Sequence, residues 1–190
     1  MVEKHDVGNS IIQTGGTLRI RALDEFEAKL VLQRLIARGG SISEAVQEQI
    51  ENLISTIDME FIASQVYSNL DGIQVEDLWD RSGSSRYGYT DPSDESWVMI
   101  EEVLTPYLER IREYQDAGMA SQAQQYCLGV LEGIVIYSEQ SDSEFKNWAP
   151  DDPETAFSWI YSEWKGGAEN DPDAKEFQRT VREKFPEWSV

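Results

Sequence analysis

The sequence predicts an all-α fold, and two observations support that prediction. Apolar residues recur at steps of three and four over long stretches, as the buried face of a helix requires. An Asp-Pro pair precedes three of these stretches, at Asp91, Asp152 and Asp171. Such a pair is a helix-start signal, because aspartate caps the first turn and proline needs no donor there. The clearest periodic set is Trp97, Ile100, Leu104, Tyr107, Ile111 and Tyr114.

The N-terminal part of the chain is predicted to contain an arm followed by helices. Residues 1–22 have no helical period and include three glycines, so we expect a flexible arm. A helical period covers residues 23–38 and ends at Gly39-Gly40. The next period begins with a capping-box pattern at residues 41–44 and continues to Leu70. It fits either one long helix or two helices broken near residues 56–58.

The central stretch, residues 92–139, is predicted to form a hairpin of two long helices. Gly118 suits the left-handed conformation that closes the first helix. The second helix has a wide apolar face, which indicates burial on more than one side. Gly129 and Gly133 lie one turn apart on this helix, and each costs up to about 1 kcal/mol relative to alanine. We therefore expect another helix or an aromatic ring to approach closely there.

Acidic residues dominate the charge of the chain. The 190 residues have a formal net charge of −20 and a pI near 4.3. Residues 39–80 contain nine Asp or Glu and neither Lys nor Arg. Such a surface repels phosphate backbones and anionic lipids, so direct binding of nucleic acid or membrane is disfavoured. It suits a basic protein partner, cations or imitation of DNA, although solubility alone also explains it.

The cellular compartment is predicted from cysteine usage and hydropathy. The chain has one cysteine, Cys127, so it cannot form an internal disulfide, and a reducing compartment is expected. No uncharged apolar run approaches the roughly 20 residues of a membrane span, and the N-terminus lacks a signal-peptide pattern. We expect a soluble cytoplasmic protein.

The residues that could perform chemistry are too few or too isolated for the common active sites. Zinc sites are built on clustered Cys and His, and His5 and Cys127 are the chain's only examples. Cys127 lies on an apolar helix face without a neighbouring base, which disfavours a nucleophile. The stretch from Asp80 resembles the start of a calcium loop, but Ser85 stands where glycine is needed. We expect no enzyme activity, no metal and no cofactor.

The segment from Trp79 to Tyr89 is the predicted binding site. It is irregular and polar, and it contains residue types that are enriched at protein-binding hot spots. The alternative is architectural, with the arginines linking acidic helices and the tyrosines packing on the central hairpin. The candidate residues are Trp79, Arg81, Arg86, Tyr87 and Tyr89.

Part of the central hairpin resembles a tetratricopeptide repeat. Tyr107, Tyr114, Gly118 and Ala123 have the spacing of that motif's Trp/Tyr, Tyr, Gly and Ala positions. Other positions depart from the motif, since Ile111, Cys127 and Val135 replace its small, aromatic and proline residues. The resemblance covers one copy of about thirty residues. It implies stacked antiparallel helical hairpins.

The segment from Gly88 to Gly133 is similar to the helical region of uncharacterised prokaryotic proteins. Some of those proteins also contain a SWIM-type zinc finger. The Cys and His ligands of that finger are absent from this sequence. Neither a zinc site nor a role in nucleic-acid binding therefore follows from the resemblance.

Together these patterns predict a single all-α domain over residues 23–190. The expected architecture is a tetratricopeptide-like superhelix of stacked hairpins, with an irregular helix bundle as the alternative. The expected function is that of a non-catalytic protein-interaction module with an acidic surface. An acidic DNA mimic that inhibits a nucleic-acid-binding protein is the alternative. A hydrolase that uses only carboxylates would require acids converging in a cleft. The sequence leaves the partner's identity and the oligomeric state open.

Overall fold

The computed structural model describes residues 24–54, 57–86, 88–169 and 171–188. Helices account for 78% of these residues, so the all-α prediction is confirmed. The chain divides into two compact units, residues 1–56 and 57–190. The predicted arm, residues 1–22, lies outside the described residues. A single domain from residue 23 onward stays a prediction.

The described residues of the first unit form two helices that pack against each other, α1 (Glu25–Ala37) and α2 (Gly40–Ile54). Asp24 and Glu27 form a capping box at the start of α1, in which each side chain accepts a hydrogen bond from the other's amide. The predicted end of this helix at Gly39-Gly40 is confirmed, since α1 ends at Ala37 with Arg38 as its C-cap. Both residues have a positive φ, +67° and +64°, which glycine adopts without strain.

The start of α2 lies two residues before the predicted one. The helix begins at Gly40, so Ser41 lies inside it and not at the predicted N-cap. The long period from residue 41 to Leu70 belongs to two helices, because α2 ends at Ile54 and the next helix begins at Met59. Asp58 caps that helix by accepting a hydrogen bond of 2.9 Å from the Phe61 amide.

The second unit is built from seven helices and one short β-hairpin among its described residues. These elements are α3 (Met59–Asp71), α4 (Val75–Arg81), β1 (Gly83–Ser85), β2 (Gly88–Thr90), α5 (Pro92–Asp116), α6 (Ala120–Gln140), α7 (Glu144–Trp148), α8 (Asp152–Gly167) and α9 (Ala174–Lys184).

Helix α6 lies at the centre of the second unit and packs against α3, α5 and α8. Its buried residues occupy a wide face, as predicted, and include Cys127 and Leu131. The hairpin of α5 and α6 is confirmed, with Gly118 at φ +70° in the turn between them. Helix α9 contacts α8 through Trp164 and Phe177, whose ring centroids lie 4.3 Å apart.

The close approach predicted at Gly129 and Gly133 is confirmed, and the approaching element is α3. A Cβ atom built on Gly133 would lie 2.6 Å from Cβ of Val66 and 2.7 Å from the carbonyl oxygen of Ala63. A Cβ atom on Gly129 would lie 3.1 Å from Cβ of Ile62. Only a residue without a side chain allows α3 and α6 to pack at this distance.

The Asp-Pro start signals have different outcomes at the three helices. At α5 the prediction is confirmed, because Asp91 accepts a hydrogen bond of 2.9 Å from the Ser93 amide and Pro92 is the first helical residue. At α8 and α9 the N-caps are Asp151 and Asp173 instead. The side chain of Asp152 accepts a hydrogen bond from the Ser96 hydroxyl of α5. At α8, a tertiary hydrogen bond has therefore replaced the local cap that was predicted for Asp152.

The prediction of an irregular loop after Trp79 is wrong in part. Residues 83–85 and 88–90 form an antiparallel pair with Gly83 opposite Thr90 and Ser84 opposite Tyr89. Gly83 and Gly88 have positive φ values of +88° and +136°. Short glycine- and serine-rich strands lack the alternating apolar residues by which a strand is recognised in sequence.

No helix in the described ranges is long and apolar enough to cross a membrane. The described core of the second unit is one continuous hydrophobic cluster. Stacking of its hairpins into a tetratricopeptide-like superhelix stays a prediction.

Candidate functional site

The predicted binding segment is distributed over three elements of the second unit. Trp79 and Arg81 lie in the last turn of α4, Arg86 lies between the two strands, and Tyr89 lies in β2. Tyr87 falls outside the described residues. Tyr89 is exposed, with 67% of its surface accessible.

Arg81 forms a network of ion pairs with α5. Its two terminal nitrogens donate hydrogen bonds of 2.9 and 2.7 Å to the two carboxylate oxygens of Glu102, and its Nε lies 2.8 Å from Oε1 of Glu95. The hydrogen bond with Glu102 raises the pKa of Arg81, and the same bond lowers the pKa of Glu102. A bidentate pair of this kind adds geometric specificity to the contact between two helices. Arg81 therefore serves the packing of α4 on α5.

Trp79 lies at the surface in an edge-to-face contact with Trp148 of α7. The ring centroids are 5.2 Å apart and the planes are perpendicular. The two rings remain exposed over 47% and 37% of their surfaces. Trp148 was not among the predicted site residues, because it is distant in sequence from the segment it contacts. The contact joins α4 to α7 and leaves one exposed aromatic patch.

A concave surface of the second unit lies elsewhere, beside the contact between α3 and α6. Two clefts of about 470 and 290 Å³ adjoin there, since Tyr67 and Gln140 line both. We call their combined surface the acidic groove. Trp79, Arg81, Arg86 and Tyr89 are not among the residues that line it. Its lining consists of Glu60, Ala63, Ser64, Tyr67, Asp71, Ile73, Gln74, Val75, Glu76, Glu132, Ile136, Gln140, Asp142, Ser143, Glu144 and Phe145.

The spacing of the lining residues shows that α3 and α6 each form one wall of the acidic groove. On α3 the lining residues Glu60, Ser64 and Tyr67 recur at steps of four and three. On α6 Glu132, Ile136 and Gln140 recur at steps of four. Residues at these steps lie on the same side of a helix, so each helix presents one row of side chains to the groove. The glycines of α6 bring the two rows together.

The charged residues of the groove are all acidic. Six carboxylates line it, and its described lining contains neither Lys nor Arg. One of the six, Glu132, is paired with Lys184 of α9 across 2.9 Å, and both partners are about one-third exposed. The remaining acids are Glu60, Asp71, Glu76, Asp142 and Glu144.

A hydrogen-bonded junction fixes the end of the groove. The Ser141 hydroxyl donates a hydrogen bond of 2.5 Å to Oδ1 of Asp71, and the same hydroxyl oxygen accepts one of 3.1 Å from the Ser143 amide. Ser141 is only 2% exposed, so its side of this bond is shielded from water, whereas Asp71 is partly exposed to the groove. Ser143 in turn caps α7 by accepting a hydrogen bond from the Lys146 amide. The ends of α3, α6 and α7 are thereby held in one arrangement.

Cys127, Ser96 and Ser141 carry potentially nucleophilic atoms, and all three are buried. Cys127 is fully buried, and burial raises the pKa of its thiol. The Ser96 and Ser141 hydroxyls donate directly to aspartates, Ser96 to Asp152 at 2.8 Å. Within the described parts of the chain, no three His, Cys, Asp or Glu residues are arranged to hold a metal ion. The absence of catalytic activity stays a prediction.

Three of the six acids in the groove could be recognised in the sequence as part of one acidic stretch. Glu60, Asp71 and Glu76 belong to the stretch 39–80 that has no Lys or Arg. Glu132, Asp142 and Glu144 come from a different part of the chain, and only folding brings them to the same surface. Comparisons with protein-family models, curated proteins and solved structures gave no match.

Proposed function

We propose that this protein is a non-catalytic interaction module whose acidic groove binds a lysine- and arginine-rich segment of a protein partner. The observation that supports the proposal is one continuous groove in which every charged lining residue is acidic. Carboxylates placed around a concave surface concentrate negative potential there and attract cationic side chains. Charge-assisted hydrogen bonds from Lys or Arg then fix the bound segment.

The groove also offers apolar contacts between its carboxylates. Ala63 and Ile136 lie between the acids of one cleft, and Ile73, Val75 and Phe145 lie in the other. Lysine and arginine have long aliphatic stems that pack on such surfaces while their charged ends reach polar groups. The combination favours a basic segment of a folded or folding partner over a small inorganic cation.

The length of the groove limits the length of the segment that can bind in it. From Glu60 to Asp71 the wall follows α3 for eleven residues, which at the rise of an α-helix is about 16 Å. That length matches about eleven residues of a bound helix or five of an extended strand. The proposed ligand is therefore a short linear segment.

Binding of a labelled basic peptide tests the proposal. We expect a fluorescein-labelled peptide of about twelve residues, with alternating Lys or Arg and aliphatic residues, to bind, and a version with Gln at the basic positions to fail. The triple variant E76Q/D142N/E144Q should weaken binding at least tenfold. Higher ionic strength should also weaken it, mainly by slowing association.

A charge-matched variant distinguishes binding in the groove from a nonspecific effect of net charge. Glu109, Glu169 and Glu187 are exposed and line no part of the groove, so E109Q/E169Q/E187Q changes net charge equally. We expect its affinity to stay within about twofold of wild type. Equal loss in both triple variants would contradict the proposal and favour a surface that serves solubility alone.

The alternative function, an acidic DNA mimic, rests on net charge. It requires that the bound surface of the partner is one that otherwise contacts DNA. Displacement of the partner by duplex DNA would favour the mimic.

A further inference from the structure

An exposed pair of tryptophans joins two helices that also line the acidic groove. Trp79 of α4 and Trp148 of α7 meet edge to face with their ring centroids 5.2 Å apart. The two side chains remain exposed over 47% and 37% of their surfaces. Burial of large aromatic rings is favourable, and both rings keep ring surface on which a ligand can pack.

Helical register places both tryptophans at the end of the acidic groove. Residues 75–76 of α4 line the groove, and Trp79 follows them by four and three positions. Residues 144–145 of α7 line it too, and Trp148 follows them by four and three positions. Residues at these steps lie on one side of a helix, and helical side chains lean towards the preceding turn. The tryptophan pair therefore continues the groove by one helical turn, about 5.4 Å.

The charge of these two helices favours a cationic ligand. The bases on α4 and α7 are Arg81 and Lys146, and both are engaged. Arg81 pairs with glutamates of α5, and the ammonium of Lys146 donates a hydrogen bond of 2.9 Å to the carbonyl oxygen of Ser138. Aromatic surface and negative charge thus occur together. The exposed acids of the two helices are Glu76, Asp77, Asp80 and Glu144.

We propose that Trp79 and Trp148 form an arginine subsite at the end of the acidic groove. The subsite rests on the proposed function of the groove, and it adds a preference for arginine over lysine at one position of the bound segment. A guanidinium is planar and more weakly hydrated than an ammonium, so it stacks on an indole face more readily. Glu76 and Glu144 lie about one turn away and can accept hydrogen bonds from its N–H groups.

The repeat of an extended segment matches this spacing. Alternate side chains of such a segment lie on one face, about 7 Å apart, which is close to the 5.4 Å of one helical turn. A segment that places one basic side chain beside Glu76 or Glu144 therefore brings the next one on that face to the tryptophans. The arginine preference is expected at a single position of the segment.

Peptides that differ at one position test the subsite. The reference is a fluorescein-labelled peptide of about twelve residues in which lysine alternates with aliphatic residues, and two derivatives carry arginine for the first or the last lysine. We expect one derivative to bind wild type at least about threefold more tightly than the reference. Equal affinity of all three peptides would overturn the subsite and leave the groove intact. Failure of all three to bind would contradict the groove itself, and the subsite with it.

Replacing both tryptophans removes the aromatic faces. W79L/W148L should bind all three peptides equally, with the wild-type affinity for the all-lysine peptide to within about twofold. Where leucine also lowers that affinity, W79F/W148F preserves the ring contact. It should keep the affinity for lysine and reduce the preference for arginine, because phenylalanine is a weaker cation–π partner than tryptophan. An arginine preference that persists unchanged in both variants would overturn the proposal.

A second tryptophan pair provides the matched control. Trp97 of α5 and Trp159 of α8 also meet edge to face, with ring centroids 5.7 Å apart, and neither lines the groove. W97F/W159F should keep the full arginine preference. Loss of the preference in this control would show that it does not depend on the position of the pair, and the assignment to Trp79 and Trp148 would be overturned.

Discussion

Gly133 of α6 lies against Val66 of α3 so closely that no side chain fits between them. The distance from an ideal Cβ on Gly133 to Cβ of Val66 is 2.6 Å, and the Ala63 carbonyl oxygen is 2.7 Å away. Val66 is fully buried. This contact sets the separation of the two helices that form the walls of the acidic groove.

Gly133→Ala is expected to destabilise the protein. The added methyl must displace backbone as well as a buried side chain, which costs more than the roughly 1 kcal/mol of helix propensity that alanine adds. We expect a net loss of about 2 kcal/mol in the free energy of unfolding, measured by urea titration.

Gly166→Ala is the matched control for that substitution. Gly166 lies in α8, and an ideal Cβ there has no neighbouring atom within 4 Å. Alanine should be neutral or stabilising by up to about 1 kcal/mol. An unchanged stability for Gly133→Ala would mean that α3 and α6 can separate without cost, and the account of the groove walls would be wrong.

Ser141→Ala is expected to loosen the end of the acidic groove. It removes the hydroxyl that donates to Asp71 and that accepts from the Ser143 amide. Losing a shielded bond to a carboxylate costs about 1–3 kcal/mol. Ser162→Ala on the exposed side of α8 is the control and should change stability by less than about 0.5 kcal/mol. Thermal and urea unfolding measure both effects, and equal stability of the two variants would contradict a structural role for the junction.

The ion pair between Arg81 and Glu102 predicts a pH dependence of stability. Hydrogen bonding to Arg81 lowers the pKa of Glu102 below its ordinary value of 4.5. A carboxyl whose pKa is lower in the folded state stabilises that state above the ordinary pKa, and the contribution disappears as pH falls through the folded pKa. The stability advantage of wild type over Glu102→Gln should therefore be complete at pH 6 and diminish below about pH 4.5. Urea unfolding across this range measures it, and an advantage that does not change with pH would contradict the ion-pair account.

The raised pKa of Asp152 predicts a pH dependence of stability with the opposite sign. Burial raises its pKa above the ordinary 3.8, with the Ser96 hydroxyl opposing the rise and the charge of Asp151 adding to it. The folded state therefore favours the protonated carboxyl, and ionisation reduces stability as pH rises through the raised pKa. Relative to Asp152→Asn, wild type should gain stability as pH falls from 7 towards 3.8. A difference that moves the other way would show that the hydrogen bond with Ser96 outweighs burial.

Local patterns predicted the helices well, whereas the binding role predicted for the segment from Trp79 to Tyr89 stays a prediction. The Asp91 cap, the Gly118 turn and the contact at Gly129 and Gly133 were all visible in sequence, because each depends on backbone geometry or on the absence of a side chain. Arg81 and Trp79 were predicted as binding residues from their chemical type. In the structure their partners are Glu102 and Trp148, and sequence spacing gives no information about such distant contacts.

The sequence by itself determined where the long helices of the second unit lie and that acidic residues dominate the charge of the chain. Helical period and capping act between residues a few positions apart, so they can be read along the chain. Only the tertiary structure decided where those acids meet. Asp71 and Ser141 are separated by 70 positions and joined by one hydrogen bond. Packing of α3 on α6 brings such distant residues together, and it depends on the fit of whole helix faces, for which the two glycines of α6 are the one local sign.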